Sequence, residues 1–452
     1  MNIGFLAMSG VRAHDSRLLE LGLTLPGFVD RSRVIASLPS LGLLLLAACT
    51  PASHHLRYFE AESDHCIPPE VYHCDLVAIS TFSAQVFEAY RVADCLRAAG
   101  VKVAMGGLHV SVCPDEAAQH ADYVVVGEGE SVWPAVVASA QAGAKPRIFR
   151  AADYPPVCMQ TLPIPRYDLL GDRPYNRFTV QTSRGCPWRC DFCASTVMLS
   201  RHYRKRPVDG IVRDIRAVQR LRHNAFIEFA DDNTFVDKSW GRDLCRALTP
   251  LRIKWFTETD ISVAEDDVLL HAMRKAGCRQ ILVGLESPAS CELDGLEIRR
   301  NVKARWAQHY TQALRNIQSH GITVNGCFIL GLDTHTPEIF QHVLDFAMEV
   351  PLFEVQITVL TAFPGTPLYS RLLRENRILE PHRWDLCTLF DVNFQPRNMS
   401  PQQLREGLYW LGERLYDAEC TRMRRSAFFR MRRVGRSRAI RHSGPTAAPR
   451  TG

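Results

Sequence analysis

Short apolar stretches alternate with helical stretches twice over in this 452-residue chain, and that alternation limits its fold more than any other feature. Parallel strands need a crossover connection between neighbours, so strand-helix alternation at this spacing predicts parallel sheets covered by helices, an α/β protein. The first series fills residues 1–142. It runs from "NIGFLAM" through helix "LGLLLLAACT", strands "LRYFEA" and "DLVAIS", helix "QVFEAYRVADCLRAAG", strand "VKVAMGG", a helix near "PDEAAQHA", strand "DYVVVGEGE" and helix "SVWPAVVASAQAG". A doubly wound, Rossmann-like sheet is expected. Residues 143–175, with Pro155, Pro156, Pro163, Pro165 and Pro174, read as a linker. The second series, over 176–365, holds the strands "FTVQT", "AFIEFA", "IKWFTET", "QILVGLE", "TVNGCFILG" and "EVQITVLT", with "VKARWAQHYTQALRNIQSHG" as one longer helix. Eight units close a full barrel, so six predict a partial (β/α)6, TIM-like barrel. Residues 366–421 read as a small, mostly helical segment ending in one long helix, "SPQQLREGLYWLGERLYDAEC", with Ser400 as its cap and Pro401 in its first turn.

The net charge of +6 is a property of the end of the chain. From Arg422 onward there are ten arginines and no acid, leaving 44 basic against 48 acidic residues elsewhere. Residues 422–452 therefore read as a solvated, frayed basic tail, with nucleic acid or anionic lipid as the less favoured reading. The longest apolar run, Leu41 to Cys49, is about half of what a bilayer crossing requires and reads as a buried helix. No basic n-region with a cleavage site precedes it, so a cytoplasmic protein with reduced thiols is expected.

Three of the fifteen cysteines, Cys186, Cys190 and Cys193, fall within "TSRGCPWRCDFCAS", directly after the first strand of the second series. Barrel chemistry sits on the loops at the carboxyl ends of strands. Thiolates hold zinc or iron–sulfur clusters. Structural zinc wants four ligands, and no second C-x2-C element occurs here, which weighs toward a cluster while leaving open a distant fourth ligand. Three buried apolar cysteines are a poor alternative in a segment that also holds Arg184, Arg189 and Asp191. Three thiolates on a four-iron cluster leave one iron free to chelate a ligand.

With Phe192 as the aromatic residue, "CPWRCDFC" resembles the C-x3-C-x-aromatic-C signature of radical S-adenosylmethionine (radical SAM) enzymes. The resemblance implies a [4Fe-4S] cluster on Cys186, Cys190 and Cys193, with S-adenosylmethionine chelated to the open iron and cleaved reductively to a 5′-deoxyadenosyl radical. It implies Phe192 along the adenine and Asp231 and Asp232 of "FADDN" near the methionine amino group, although the family's usual Gly-Gly-Glu is missing. Glu258 and Glu286, ending the third and fourth strands, would face the ribose or methionine end; a helix cap or surface charge is the bland reading of each. "FPGTPLY", with Pro364 and Gly365, would shape the adenine-side loop.

In the first series the strand-end residues are Ser80, Thr81 and Ser83, then Gly106, Gly107 and His109, then Gly127 and Glu128. They mark a ligand crevice without naming the ligand. In their order, with "PSLGLLLLAACT" before and "PIPRYDLL" after, they resemble the cobalamin (B12)-binding domain fused to radical SAM barrels. The Asp-x-His-x-x-Gly motif is absent and His14 lacks its spacing, so the resemblance implies cobalamin held without a protein histidine on cobalt. It implies a methyltransferase acting on an unactivated carbon or a phosphinate of a small molecule. An electron donor such as flavodoxin or ferredoxin would serve it. A cyclase, oxidase or rearrangement enzyme with both cofactors is the alternative. A tRNA methylthiotransferase is disfavoured because three further N-terminal cluster cysteines are missing. A non-catalytic cluster protein would fail to cleave S-adenosylmethionine.

Overall fold

The computed structural model describes residues 1–8, 13–20, 38–195 and 202–442. The first domain is built from β1 (Asn2–Met8), α1 (Ser16–Glu20), α2 (Leu41–Ala48), β2 (His55–Ala61), β3 (Leu76–Ser80), α3 (Val86–Ala98), β4 (Lys102–Gly106), α4 (Leu108–Val112), α5 (Pro114–His120), β5 (Tyr123–Val126), α6 (Trp133–Gln141) and β6 (Arg147–Arg150). Its six strands are all parallel, in the order β2-β1-β3-β4-β5-β6. In β1 every residue after Asn2 is buried, as in a strand covered on both faces. The apolar run is α2, whose Leu43, Leu44, Leu45 and Ala47 are buried in the domain core. Among the described residues no helix is long and apolar enough to cross a membrane. Strand order reverses between β1 and β3, the switch point where open sheets form ligand crevices.

The segment read as a linker does more than connect. β6 adds the last strand of the first sheet within it, so the first domain extends past residue 142. Downstream, Arg166 N donates to Leu44 O at 3.1 Å, Arg173 to Tyr58 O at 3.1 Å, and Tyr175 Oη to Glu60 Oε1 at 2.7 Å. Its prolines restrict the backbone, but half-buried aromatic and arginine anchors fix its course.

The second domain follows as β7 (Phe178–Val180), β8 (Ser183–Arg184), β9 (Arg204–Lys205), α7 (Val208–Leu221), β10 (Phe226–Phe229), α8 (Lys238–Leu248), β11 (Lys254–Glu258), α9 (Asp267–Lys275), β12 (Cys278–Glu286), α10 (Val302–Ala307), α11 (Tyr310–Ser319), β13 (Thr323–Leu330), α12 (Ile339–Glu349) and β14 (Glu354–Val359). Its six barrel strands pair in parallel as β14-β13-β12-β11-β10-β7, an open arc rather than a ring. β8 and β9 form a small antiparallel hairpin beside it, which the sequence did not suggest. Large rings fill the wall: Trp255 stacks on Phe229 at 4.9 Å and lies 6.1 Å from Phe235. Burying each such ring removes about 150–250 Å² from water, a transfer gain of about 4–6 kcal/mol before ordering entropy is counted. Asp237 and Asp266 cap α8 and α9 through Trp240 N and Leu269 N.

Two helices differ from the expectation. The long helix over 302–321 is broken at His309, because Trp306 and Tyr310 are drawn to separate anchors: Trp306 against Trp188, and Tyr310 Oη to Leu285 O at 2.9 Å. The chain closes with α13 (Pro367–Arg374), α14 (Pro401–Tyr416) and α15 (Ala418–His442). Ser400 and Gln403 form a capping box on α14, with Pro401 in the first turn. α14 stops at Asp417, whose side chain turns back to accept from Glu419 N and Cys420 N and so starts α15. The basic stretch is therefore helical to His442 rather than frayed from residue 422, while 443–452 lie outside the described residues. Arg424 is buried and donates to Leu415 O at 2.6 Å; Phe428 is buried 5.2 Å from Phe353.

Candidate active site between the two domains

The cysteine loop leaves β8 at Gly185, whose φ of +83° favours glycine. Asp231 braces its start. Its Oδ1 accepts from Thr182 N at 2.7 Å and Ser183 N at 3.0 Å, and its Oδ2 from Thr234 Oγ1 at 2.8 Å and from Thr182 Oγ1. Asp232 accepts from Gly185 N at 3.1 Å and from Ser195 Oγ. The far side is strapped by Glu297, which accepts from Arg189 N at 3.1 Å, and by the Ile298 N to Arg189 O bond at 2.9 Å. Arg371 of α13 reaches Asp191 at 3.2 Å, and Trp188 Nε1 reaches Asp260 at 2.9 Å. Phe192 is half-buried against the main core.

None of the three thiols is in a disulfide, and they lie within electrostatic reach of one another. Burial pushes Cys186 up to about 12 and Cys190 upward as well, a state that a bound cationic centre would reverse. Among the described residues no group of three His, Cys, Asp or Glu side chains is arranged to hold a single metal ion. The donor set nonetheless suits a [4Fe-4S] cluster: three thiols on one loop, with Asn233 Nδ2 donating to Cys186 Sγ at 3.8 Å and Lys303 within electrostatic reach of Cys190.

Glu258 and Glu286 end β11 and β12 at the same barrel mouth. Glu258 is ringed by protein while its side chain opens to the lumen. That enclosure, and then the negative charge of Glu228, Asp232, Asp231 and Glu286, push its carboxyl up to about 8, with the open side tempering the effect. Glu286 sits at a register shift in β12 with φ of +65°. Its Oε1 accepts from Lys303 Nζ at 2.6 Å, and the same amine donates to Gly284 O at 2.8 Å. Burial works against the Lys303 charge; Glu286 overrides it and keeps the amine protonated.

The strand ends of the first sheet face differently from expectation in places. Gly107, at φ +106°, fits because an added Cβ would lie 3.0 Å from both Ser80 Oγ and Thr81 O. Thr81 and Ser83 are buried, and Gly106 ends β4. His109, expected at the cofactor, is instead wholly buried: Nδ1 meets Ser83 Oγ at 3.0 Å, Nε2 faces Glu116 at 3.5 Å, and Trp384 packs on it at 5.6 Å. Glu128 is likewise engaged elsewhere, by Arg184 at 2.7 Å and by Arg204. Burial alone would raise the Glu128 carboxyl, but these two guanidiniums hold it below the ordinary range. Gly127, at φ +88°, is anchored by Ser111 Oγ to its N at 3.0 Å. Asp231 likewise has both its oxygens engaged within the protein, by Thr182, Ser183 and Thr234.

Sequence reasoning missed Asn233, Asp260, Glu297, Lys303 and the exposed Phe82 beside the crevice. Asn233 alone had a signal, as the last residue of "FADDN". A small cleft walled by Leu360, Tyr369, Trp384 and Phe394 opens on the C-terminal segment and includes none of the three cysteines.

Residues 180–347 match the model of the radical SAM superfamily, and residues 33–137 match the B12 binding domain. The chain thus carries a radical SAM domain together with a B12 binding domain. It is 25% identical over 383 residues to the bacteriochlorophyllide d C-12(1)-methyltransferase of Chlorobaculum tepidum, covering 83% of this chain and 82% of that protein. With the hopanoid C-2 methylase of Rhodopseudomonas palustris it shares 28% over 356 residues, 76% of this chain and 66% of that one. The fold aligns with the radical S-adenosylmethionine methyltransferase TsrM from Kitasatospora setae, solved with cobalamin and a [4Fe-4S] cluster, at a TM-score of 0.66 and 14% identity, over 97% of this chain and 100% of that one.

Proposed function

We propose that this protein is a cobalamin-dependent radical SAM methyltransferase acting on a small-molecule metabolite, at an unactivated carbon or a phosphinate. The observation that carries the reading is the juxtaposition of the two domains. The cysteine loop at the mouth of the open barrel is joined through Arg184 directly to the glycine-edged rim of the first sheet. When bound, the cluster supplies the electron that splits S-adenosylmethionine and cobalamin carries the methyl group. Cys186, Cys190 and Cys193 would hold the cluster, with Asn233 donating to one thiolate and Asp232 fixing the loop at Gly185. Glu258 and Glu286 line the mouth where the S-adenosylmethionine end groups would lie. Phe192 would flank the adenine. Ser80, Thr81, Ser83, Gly106, Gly107 and Gly127 would border the corrin, with no histidine offered to cobalt because His109 is sealed against Ser83 and Glu116.

Reduction by a flavodoxin- or ferredoxin-type donor belongs to the same proposal, as does a cytoplasmic site of action, in keeping with fifteen cysteines of which none is in a disulfide. The test needs no substrate. Protein reconstituted anaerobically with cluster and corrinoid is given methyl-labelled S-adenosylmethionine and a reductant. Label recovered with the corrinoid, together with 5′-deoxyadenosine, is the expected result. 5′-Deoxyadenosine without labelled corrinoid would exclude methyl transfer and leave the cyclase or oxidase alternative.

A further inference from the structure

Between the two cofactor loops lies an ion-pair cluster that neither domain can complete alone. Arg184 ends β8 two residues before Cys186, and its side chain is buried. Its Nη1 donates to Glu128 Oε1 at 2.7 Å, and its Nη2 donates to Glu130 Oε1 at 2.7 Å and to Gln181 Oε1 at 2.8 Å. Arg204, across the β8–β9 hairpin, donates to the same Glu128 oxygen and to Val157 O at 3.2 Å. On the other side, Glu128 follows Gly127, the residue whose backbone edges the crevice, and the turn runs straight into α6.

Two arginines from the cysteine hairpin and two glutamates from the rim of the first sheet thus compensate one another across the domain boundary. A guanidinium fork held by three acceptors has little freedom to rotate, unlike a single exposed ion pair. Both ends are short: only Gly185 separates Arg184 from Cys186, and Glu128 adjoins Gly127. Any shift of one loop relative to the other must break a part-buried charge pair.

We propose that Arg184, Glu128 and Glu130 form a strut that fixes the separation and facing of the cluster loop and the corrin crevice, making them positioning residues for methyl transfer from S-adenosylmethionine to the corrinoid. The inference rests on the function proposed above. Small displacements matter in such a site, because misplacement by about 1 Å can cost a factor on the order of a hundred in rate.

The experiment compares the reconstituted full chain with Glu128→Gln and with Glu130→Gln, the latter leaving Arg184 and Arg204 paired with Glu128. With the cluster reduced and the corrinoid in its paramagnetic cobalt(II) state, pulsed electron paramagnetic resonance reads the distance between the two spins. Glu128→Gln is expected to broaden that distance distribution and to lower the ratio of labelled corrinoid to 5′-deoxyadenosine by about tenfold, with Glu130→Gln intermediate. A purely structural role would lower both products together and leave their ratio and the distance unchanged, which would overturn the strut. Should Glu128→Gln not be recovered folded, Glu130→Gln alone decides between these outcomes. If the wild-type chain fails to hold both cofactors, the underlying reading falls and takes the strut with it. If it holds both and the variants keep its distribution, only the strut falls.

Discussion

Glu286 shows how a single side chain can be right in place and different in occupation. Its position at the end of the fourth barrel strand was legible from the alternation, but its partner, Lys303, comes from a helix 17 residues on. An added Cβ on Gly284 would collide with Glu286 Oε1, so a larger residue there would push that carboxylate away from its place beside Lys303. Glu286→Gln leaves the Lys303 ammonium buried without a counter-charge and is expected to cost about 3 kcal/mol in urea unfolding, part of which the double variant with Lys303→Met recovers. Asn233 makes a second case: replacing it with leucine removes the N–H donor to Cys186. The cluster midpoint in a redox titration is then expected to fall by tens of millivolts, since a donor to a thiolate favours the more reduced, more negative cluster. His335 supplies a pH handle. Buried, with Nε2 3.2 Å from Ser287 Oγ, its pKa is depressed by burial, then by His342, from 6.5 to about 3. The unfolded chain takes up the proton first on acidification, so this contribution to stability is whole above pH 6.5 and is lost as the pH falls toward about 3. Thermal melts of His335→Gln across that window should show a shallower decline than wild type.

At the scale of elements, the strands were readable because parallel strands covered on both faces are nearly continuous apolar runs, as in β1, β5 and β13. Helix ends were less so. Ser400 and Pro401 announced the start of α14, yet nothing local marks Asp417 as its end, because an aspartate caps a new helix only when the chain turns there. α15 misled for a related reason. Its arginines dominate the composition, while Phe428 and the buried stem of Arg424 seat it on β14. Phe428→Ala should therefore destabilise the barrel by about 3 kcal/mol, read as a lowered urea midpoint, where a frayed tail would have no effect.

For the whole molecule, the domains meet through polar side chains with apolar stems. Trp384 of the C-terminal segment donates to Glu116 of the first domain at 3.0 Å, and Glu116 in turn faces the buried His109. Trp384→Phe keeps an aromatic ring, though a smaller one, and removes the donor. It is expected to cost about 1–2 kcal/mol of domain closure, visible as faster amide exchange in α5 with the barrel strands unaffected.

What the chain declares by itself is its local period and its covalent spacing. The two alternating series, the six barrel units and the three cysteines within eight residues are all short-range properties, and each places its residues at a strand end without knowledge of the rest. The occupation of those residues was decided by tertiary structure. Asp231, His109 and Glu128 stand where the strand ends put them, but Thr182, Ser83, Glu116, Arg184 and Arg204 claim their polar atoms from 26 to 76 residues away, or across the domain boundary, in the case of every bond but the nearest His109–Glu116 contact. A buried carboxylate or imidazole must find a partner, and only the folded chain determines which one lies within reach.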